Sequence, residues 1–107
     1  MMMVLIYVTT SDEKESINIG ELVVQEKLAA CVNIFSDMKS IYNWEGKIKK
    51  DNESILILKT VDENVDTLIH RIKEVHSYDN PCIIALPIFN GSNTYLEWIE
   101  NETNIDL

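Results

Sequence analysis

A histidine and a cysteine are the two side chains of this sequence best suited to hold a soft metal ion. His76 stands in "EVHSYDNP", residues 74–81, where a helical pattern of apolar residues ends. Cys31 follows two alanines in "KLAACVNI", at the predicted start of a strand. Imidazole and thiolate are both ligands for copper or zinc, so His76 and Cys31 are the predicted ligands of a divalent metal ion (Cu or Zn).

Each of these two residues also has a structural alternative. His76 could be the polar end of a packed helix, where the helix dipole favours a positive charge. Cys31 could serve as a small apolar residue of a strand. A cysteine–histidine nucleophile pair would need a third group to orient it, and the sequence offers none. We therefore assign no catalytic residue and predict that the protein is not an enzyme.

Composition and charge restrict the classes of partner. The chain has 107 residues, 18 acidic against nine basic, and a formal net charge of −9, which predicts one domain over residues 1–107. The basic run "GKIKK" is followed at once by "DNE", so no stripe for nucleic acid is predicted. No apolar run is long enough to span a membrane. The N-terminal "MMMVLIYVTT" predicts a strand rather than a signal peptide, and hence a cytoplasmic protein.

Two halves of the chain follow one plan. Each half opens with an apolar β-rich run, continues through a helical pattern and returns to a strand that contains a cysteine. Thr10 and Thr60 each precede a glutamate by three positions, which predicts a capping box at the start of each helix. Two βαβ units of matching length predict an α+β, ferredoxin-like split βαβ fold (βαββαβ).

The segments between and after the two halves complete the expected fold. Gly46 in "WEGK" predicts a turn in a long β2–β3 hairpin that pairs about 30–44 with about 47–59. "NGSNTYLEWIEN" predicts a short C-terminal helix with Tyr95, Trp98 and Ile99 on one face. The expected strand order, 4-1-3-2, places Cys31 and Cys82 on opposite edges of the sheet. Because a disulfide needs Cα atoms closer than about 7 Å, both thiols are predicted to be free.

Both faces of the predicted sheet are apolar, although two helices can cover only one of them. Strand 1 alternates Val4, Ile6 and Val8 with Met3, Leu5 and Tyr7, and strands 3 and 4 behave in the same way. Each large aliphatic side chain left in water forfeits roughly 1.5–3 kcal/mol. The C-terminal helix is too short to cover the second face, so the pattern predicts self-association.

Five motifs together resemble one known family. They are "KLAACVNI", "SIYNWEGKI", the "E…LILKT" strand, "H-x-Y-x-x-P" and "YLEWI", in order between about residues 4 and 100. The set is similar to the CutA family of divalent-cation tolerance proteins. The resemblance implies a homotrimer of ferredoxin-like subunits, with the sheets packed inside the trimer and strands paired across subunits. It also implies a metal-binding protein associated with tolerance of divalent cations, copper especially.

One position departs from the motif of that family. Ser77 follows His76 where the family usually has proline. Proline fixes φ and would shape the exit from the helix, so serine is expected to leave the exit looser.

The remaining aromatic residues fit either a core or interface, or a cleft between subunits. Tyr42 and Trp44 share a face of the predicted hairpin. Apolar clefts with a few convergent polar groups are typical ligand sites. These positions lie in the motifs of the resemblance, which implies an intersubunit pocket that comprises Tyr42, Trp44, Glu53, Lys59, Tyr78, Tyr95 and Trp98.

Three functions follow from these observations. The first is a homotrimeric, copper-type divalent-cation tolerance protein. The second is a trimeric signalling module resembling the PII proteins, with a small molecule in the intersubunit cleft. The third is a trimeric scaffold that holds no ligand and acts through partner proteins.

Overall fold

The computed structural model describes residues 2–104 and confirms the predicted order of elements. The strands are β1 (Met3–Thr10), β2 (Cys31–Trp44), β3 (Lys47–Val61) and β4 (Ile83–Pro87). The helices are α1 (Glu13–Gln25), α2 (Val65–Val75), preceded by a 3-10 turn at Asp62–Asn64, and α3 (Asn93–Glu102). All strand pairs are antiparallel, in the order β2-β3-β1-β4. This is the predicted ferredoxin-like sheet with an added C-terminal helix.

Helices α1 and α2 cover one face of the sheet and form the main core with it. Ile6 and Val8 of β1 are fully buried, as are Leu68 and Ile72 of α2. Burial of each such side chain contributes roughly 1.5–3 kcal/mol. The helical pattern of apolar residues that ends at His76 therefore forms the packed face of α2, although Val75 at the helix end is 40% exposed.

Helices α1 and α2 both begin later than the capping boxes at Thr10 and Thr60 predicted. Thr10 and Thr60 are still in strands, and both are fully buried. Asp12 caps α1 instead, because its side chain accepts a 2.8 Å hydrogen bond from the Glu15 N–H. The Thr60 hydroxyl donates to the Leu28 carbonyl at 2.6 Å. The two capping-box predictions were wrong, because neither threonine accepts a hydrogen bond from a helix N–H. The Thr10 hydroxyl donates to the Asp12 carbonyl at 2.9 Å.

The β2–β3 hairpin extends well beyond the rest of the sheet. Glu45 and Gly46 turn it with φ values of 53° and 79°, the two positive values of a type I′ turn. Because β1 ends opposite Ser54, residues 38–53 form a two-stranded ribbon with no third strand in the described chain. We call this ribbon the arm. Ile41 and Ile48 on the arm are 68% and 67% exposed.

The second face of the sheet, which we call the open face, is apolar and largely uncovered. Helix α3 packs Leu96 and Ile99 against Met3 and Val61 at one end of this face. Farther along, Ile84 is 52% exposed and Leu86 is 47% exposed. The predicted pattern of two apolar faces is confirmed, and α3 is indeed too short to cover the second one. Within α3 only Ile99 of the three residues predicted for one face is buried, whereas Tyr95 and Trp98 are about 40% exposed.

Glu15 ties the start of α1 to the residue that follows His76. Its carboxylate accepts bonds from the N–H and hydroxyl of Ser11, both at 2.9 Å. It also accepts bonds from the Ser77 N–H at 2.7 Å and the Ser77 hydroxyl at 3.0 Å. The expectation of a looser exit at Ser77 was wrong. Serine supplies two donors here, and proline would supply neither.

These contacts predict a pH-dependent stability that involves Glu15. Burial raises the pKa of Glu15, but the bonds from Ser11 and Ser77 outweigh it and leave the pKa below its ordinary value of 4.5. A lowered pKa in the folded state contributes stability above the unfolded value, and that stability is lost as pH falls through the folded value. We expect Glu15→Gln to destabilise the protein by about 2 kcal/mol near neutral pH.

Urea unfolding at fixed protein concentration measures this effect. The difference between Glu15→Gln and the unmodified protein should shrink once pH falls below 4.5. Glu21→Gln on the exposed side of α1 is the matched control and should change stability little. An equal loss for Glu15→Gln at neutral and acidic pH would contradict the proposed charge-assisted bonds.

Gly20 marks the closest approach of α1 to the sheet. A Cβ atom at this position would lie 2.8 Å from Val32 Cγ2, and real Cβ contacts are longer. Val32 is β-branched and stiff, so it cannot move away freely. Gly20→Ala should therefore destabilise the fold by about 1–3 kcal/mol despite the higher helix propensity of alanine.

The same urea measurement tests Gly20. Adding Val32→Ala removes the clashing methyl group and should recover part of the lost stability. Gly91→Ala is the control, because its Cβ would be 3.4 Å or more from the Leu96 side chain. Greater stability of Gly20→Ala than of the unmodified protein would show that helix propensity dominates at this contact.

Candidate functional site

The predicted site residues lie in three places in the structure. His76 is buried at the end of α2. Tyr42, Trp44, Glu53 and Tyr78 line a groove beside the arm. Cys31, Lys59, Tyr95 and Trp98 form a second group near α3, which we call the lysine cluster.

His76 binds two backbone groups through its two ring nitrogens. It is the first residue after α2, with φ −78° and ψ 143°, and its side chain is 0% exposed. Nε2 lies 2.8 Å from the Thr9 carbonyl oxygen, and Nδ1 lies 3.0 Å from the Tyr78 nitrogen. Because a carbonyl only accepts and an N–H only donates, these contacts assign the neutral tautomer with the proton on Nε2.

This arrangement gives His76 a structural role. It connects the end of β1 to the segment after α2, and its ring lies 4.8 Å from the Tyr78 ring. No nitrogen lone pair is free for a metal ion while both contacts are made. The geometry therefore favours the helix-end alternative, and a metal role for His76 would require the loss of the Tyr78 contact.

The lysine cluster places one ammonium group between a thiol and an aromatic ring. Lys59 stands opposite Cys31 in the β2–β3 ladder, and its Nζ is 3.9 Å from Cys31 Sγ. The same Nζ is 3.2 Å from the Tyr95 hydroxyl and 5.4 Å from the centre of the ring. Tyr95 in turn contacts Trp98, with ring centres 5.5 Å apart. Three of the predicted pocket residues thus form one series of contacts, with Tyr95 between Lys59 and Trp98, apart from the other four.

His76 and Cys31 do not meet within one chain. Cys31 of β2 pairs with Lys59 of β3, which pairs in turn with Leu5 of β1. His76 binds Thr9, which lies four residues farther along β1. Four residues along a strand span about 13 Å. In residues 2–104, no three His, Cys, Asp or Glu side chains are placed to hold one metal ion. Both cysteines are free, as predicted.

The groove lies between the arm and the segment 78–82, and its volume is about 670 Å³. The Tyr78 hydroxyl donates to Glu53 Oε2 at 2.8 Å, and the Tyr42 hydroxyl donates to Asp51 Oδ2. The lining also includes residues that were not predicted for the pocket, namely Tyr7, Thr9, Ser40, Lys49, Asp51, Asp79, Asn80 and Cys82. Alternation along β3 could have found Asp51, which shares a face with Glu53. The family resemblance grouped Tyr78 with residues of the arm, but no sequence signal placed the rest of segment 78–82 beside it.

Three groups of the groove have raised pKa values. Burial and the neighbouring Glu53 carboxylate raise the pKa of Tyr78. The hydrogen bond to Asp51 raises the pKa of Tyr42. Burial, with the charge of Glu53, raises the pKa of the Cys82 thiol. All three shifts favour the neutral forms, because burial disfavours the charged forms of Tyr78 and Cys82, and the Asp51 and Glu53 carboxylates disfavour a further negative charge.

The helices are short and amphipathic. Across residues 2–104, none combines the length and hydropathy needed to cross a membrane.

Comparisons with known proteins place this fold and these motifs in one family. The family model for the CutA1 divalent ion tolerance protein matches residues 4–102. "Protein CutA, chloroplastic" of Arabidopsis thaliana is 44% identical over 100 residues, covering 94% of this chain and 55% of that protein. The "Divalent-cation tolerance protein CutA" of Thermus thermophilus is 39% identical over 98 residues, covering 92% and 95%. The chain spans about half the length of the plant relatives, 55% and 56%.

Solved structures agree with the sequence comparison. The structure of the "Periplasmic divalent cation tolerance protein CutA" from Archaeoglobus fulgidus superposes with a TM-score of 0.94 at 40% identity. The alignment covers 96% of this chain and all of that one. With a family model that spans nearly the whole chain and relatives near 40% identity, this protein belongs to the CutA1 divalent ion tolerance family.

Proposed function

We propose that the protein acts in tolerance of divalent cations as a homotrimer. Family membership supports the biological role. The open face and the arm support self-association, because both expose apolar side chains that one chain cannot cover. A two-stranded ribbon is marginally stable alone, so the arm needs a surface to pack against. The open face is the observation that carries this proposal.

The position of the two groups of pocket residues also supports assembly. Glu53 in the groove and Lys59 in the lysine cluster are six residues apart on β3, about 20 Å along the strand. The seven predicted pocket residues can therefore form one site only if two copies each contribute one group. A second copy would bring its lysine cluster to the groove of the first.

Copper is the cation that we propose for the metal role. Cys31 is partly exposed and offers a soft thiol ligand, which copper prefers. The buried His76 ring, with both nitrogens bound to backbone groups, is the weaker candidate. Zinc is the alternative ion for the same thiol.

The groove favours a second function, a module that binds a small molecule. Its volume is in the range of ligand sites, and it combines aromatic rings with a few polar groups. This corresponds to the predicted signalling module resembling the PII proteins. A cytoplasmic location stays a prediction, since the names of relatives include a chloroplastic and a periplasmic protein. The lack of enzymatic activity also stays a prediction.

Equilibrium dialysis against Cu²⁺ tests the metal role. We expect the unmodified protein to bind copper and Cys31→Ser to lose about one ion per chain, because the thiolate is the soft ligand. His76→Ala should keep the bound copper of the unmodified protein, because its nitrogens already serve the backbone.

Cys82→Ser is the matched control for Cys31→Ser. Cys82 is the other free thiol, and its raised pKa disfavours the metal-binding thiolate. Equal losses from both serine variants would show nonspecific thiol binding. Absence of bound copper from the unmodified protein would contradict the proposed metal role.

A further inference from the structure

The connection between β4 and α3 contains the pair Asn90–Gly91. Both residues are exposed, and neither lies in a helix or a strand. Asn90 is the only asparagine of the chain that a glycine follows. Because glycine has no Cβ atom, its nitrogen can approach the preceding side chain without hindrance, and its backbone changes conformation freely. In this arrangement a peptide nitrogen can attack the asparagine side-chain amide.

The structure holds the two reacting groups together. The Gly91 N–H donates to Asn90 Oδ1 at 2.8 Å, so the nitrogen lies against the side-chain amide. Among residues 2–104, the Asn90 side chain makes no other hydrogen bond that would restrain it. The two groups belong to neighbouring residues of one chain. Their approach therefore does not depend on whether other copies cover the open face.

We propose that Asn90 is a site of spontaneous deamidation, and that its isoaspartyl product loosens α3 from the sheet. Base removes the Gly91 amide proton, and the nitrogen attacks Asn90 Cγ. The N–Cγ bond forms, the Cγ–Nδ2 bond breaks, and ammonia leaves with a proton from water. The product is a five-membered succinimide ring. This inference goes beyond the proposed function and does not depend on copper or on a ligand in the groove.

Water then opens the ring at either of its two carbonyls. Opening at Cγ gives aspartate with the normal backbone. Opening at the main-chain carbonyl gives isoaspartate, in which the chain continues through Cβ and Cγ. In both cases the net reaction consumes one water and releases one ammonia, and it adds a carboxylate. Only isoaspartate also lengthens the backbone, by one atom.

An added backbone atom matters here because the connection is short and fixed at both ends. At one end the Ile88 N–H donates to the Met3 carbonyl at 2.9 Å. At the other end α3 begins at Asn93. Only residues 89–92 lie between these points, so a longer backbone has little room to be absorbed without moving α3.

The same connection contacts the packed side of α3. A Cβ atom on Gly91 would lie 3.4 Å from the Leu96 side chain, so the Gly91 backbone is close to Leu96. Leu96 packs with Ile99 at one end of the open face. Because packed interiors respond to small displacements, a shifted connection should weaken this contact and destabilise the fold.

The test incubates the full chain, in its own oligomeric state, at mildly alkaline pH. Fragment-ion mass spectrometry detects the replacement of NH₂ by OH and assigns it to a residue. We expect Asn90 to convert while Asn43 and Asn93, which precede larger residues, stay unmodified. Gly91→Ala is the matched control, since its Cβ atom fits beside Leu96. This variant should convert at least about tenfold more slowly, because the Cβ atom restricts the backbone.

Urea unfolding tests the effect on α3. The converted protein carries an added negative charge, so anion exchange separates it from the unconverted protein. We expect the converted fraction to unfold at a lower urea concentration than the unmodified protein. Freshly prepared Asn90→Asp adds the same charge without lengthening the backbone, and it should unfold like the unmodified protein.

Three contrary results would each overturn part or all of this inference. Equal conversion rates in Gly91→Ala and the unmodified protein would exclude attack by the Gly91 nitrogen. Conversion of Asn90 in the urea-unfolded chain but not in the folded protein would show that the fold prevents the reaction, and the site would be rejected. A converted fraction as stable as Asn90→Asp would contradict the loosening of α3.

Discussion

The sheet has two apolar faces, and α1 and α2 can cover only one of them. Val4, Ile6 and Val8 pack under these helices, while the alternate positions carry their apolar side chains to the open face. Helix α3 buries Ile99 at one end and leaves Ile84 and Leu86 in solvent. Several exposed aliphatic side chains forfeit an amount comparable to the net stability of a small domain. Residues 2–104 of one chain do not cover this face, and we propose that other copies of the chain do.

The long hairpin has the same requirement. It continues past the end of β1 as a ribbon with Ile41 and Ile48 exposed, and its other face forms one wall of the groove. The predicted site residues fall into two separate groups, the groove and the lysine cluster. The groove lies at one end of β3, and the lysine cluster lies about 20 Å away at the other. His76 positions one wall of the groove, because its ring bonds to both Thr9 and Tyr78 and so connects segment 78–82 to β1.

Much of the fold could be predicted from the sequence, because hydrophobic periodicity and repeated βαβ spacing determine the strand order. The helix starts could not. Thr10 and Thr60 match a capping box locally, but burial in the core directs their hydroxyls to Ser16 and Leu28. The site was only partly predictable. Motifs identified Tyr42, Glu53 and Tyr78, whereas the contacts of the His76 ring, the division into two groups and the role of Ser77 depend on tertiary packing that no local pattern encodes.

Light scattering of the dilute, folded chain measures most directly whether the open face is buried between copies. A homotrimer has a mass of about 37 kDa, three times the 12.3 kDa of the chain. We predict that value, independent of concentration across the micromolar range. A well-folded protein that scatters as a 12.3 kDa monomer would show that the open face tolerates water, and would contradict this explanation of the structure.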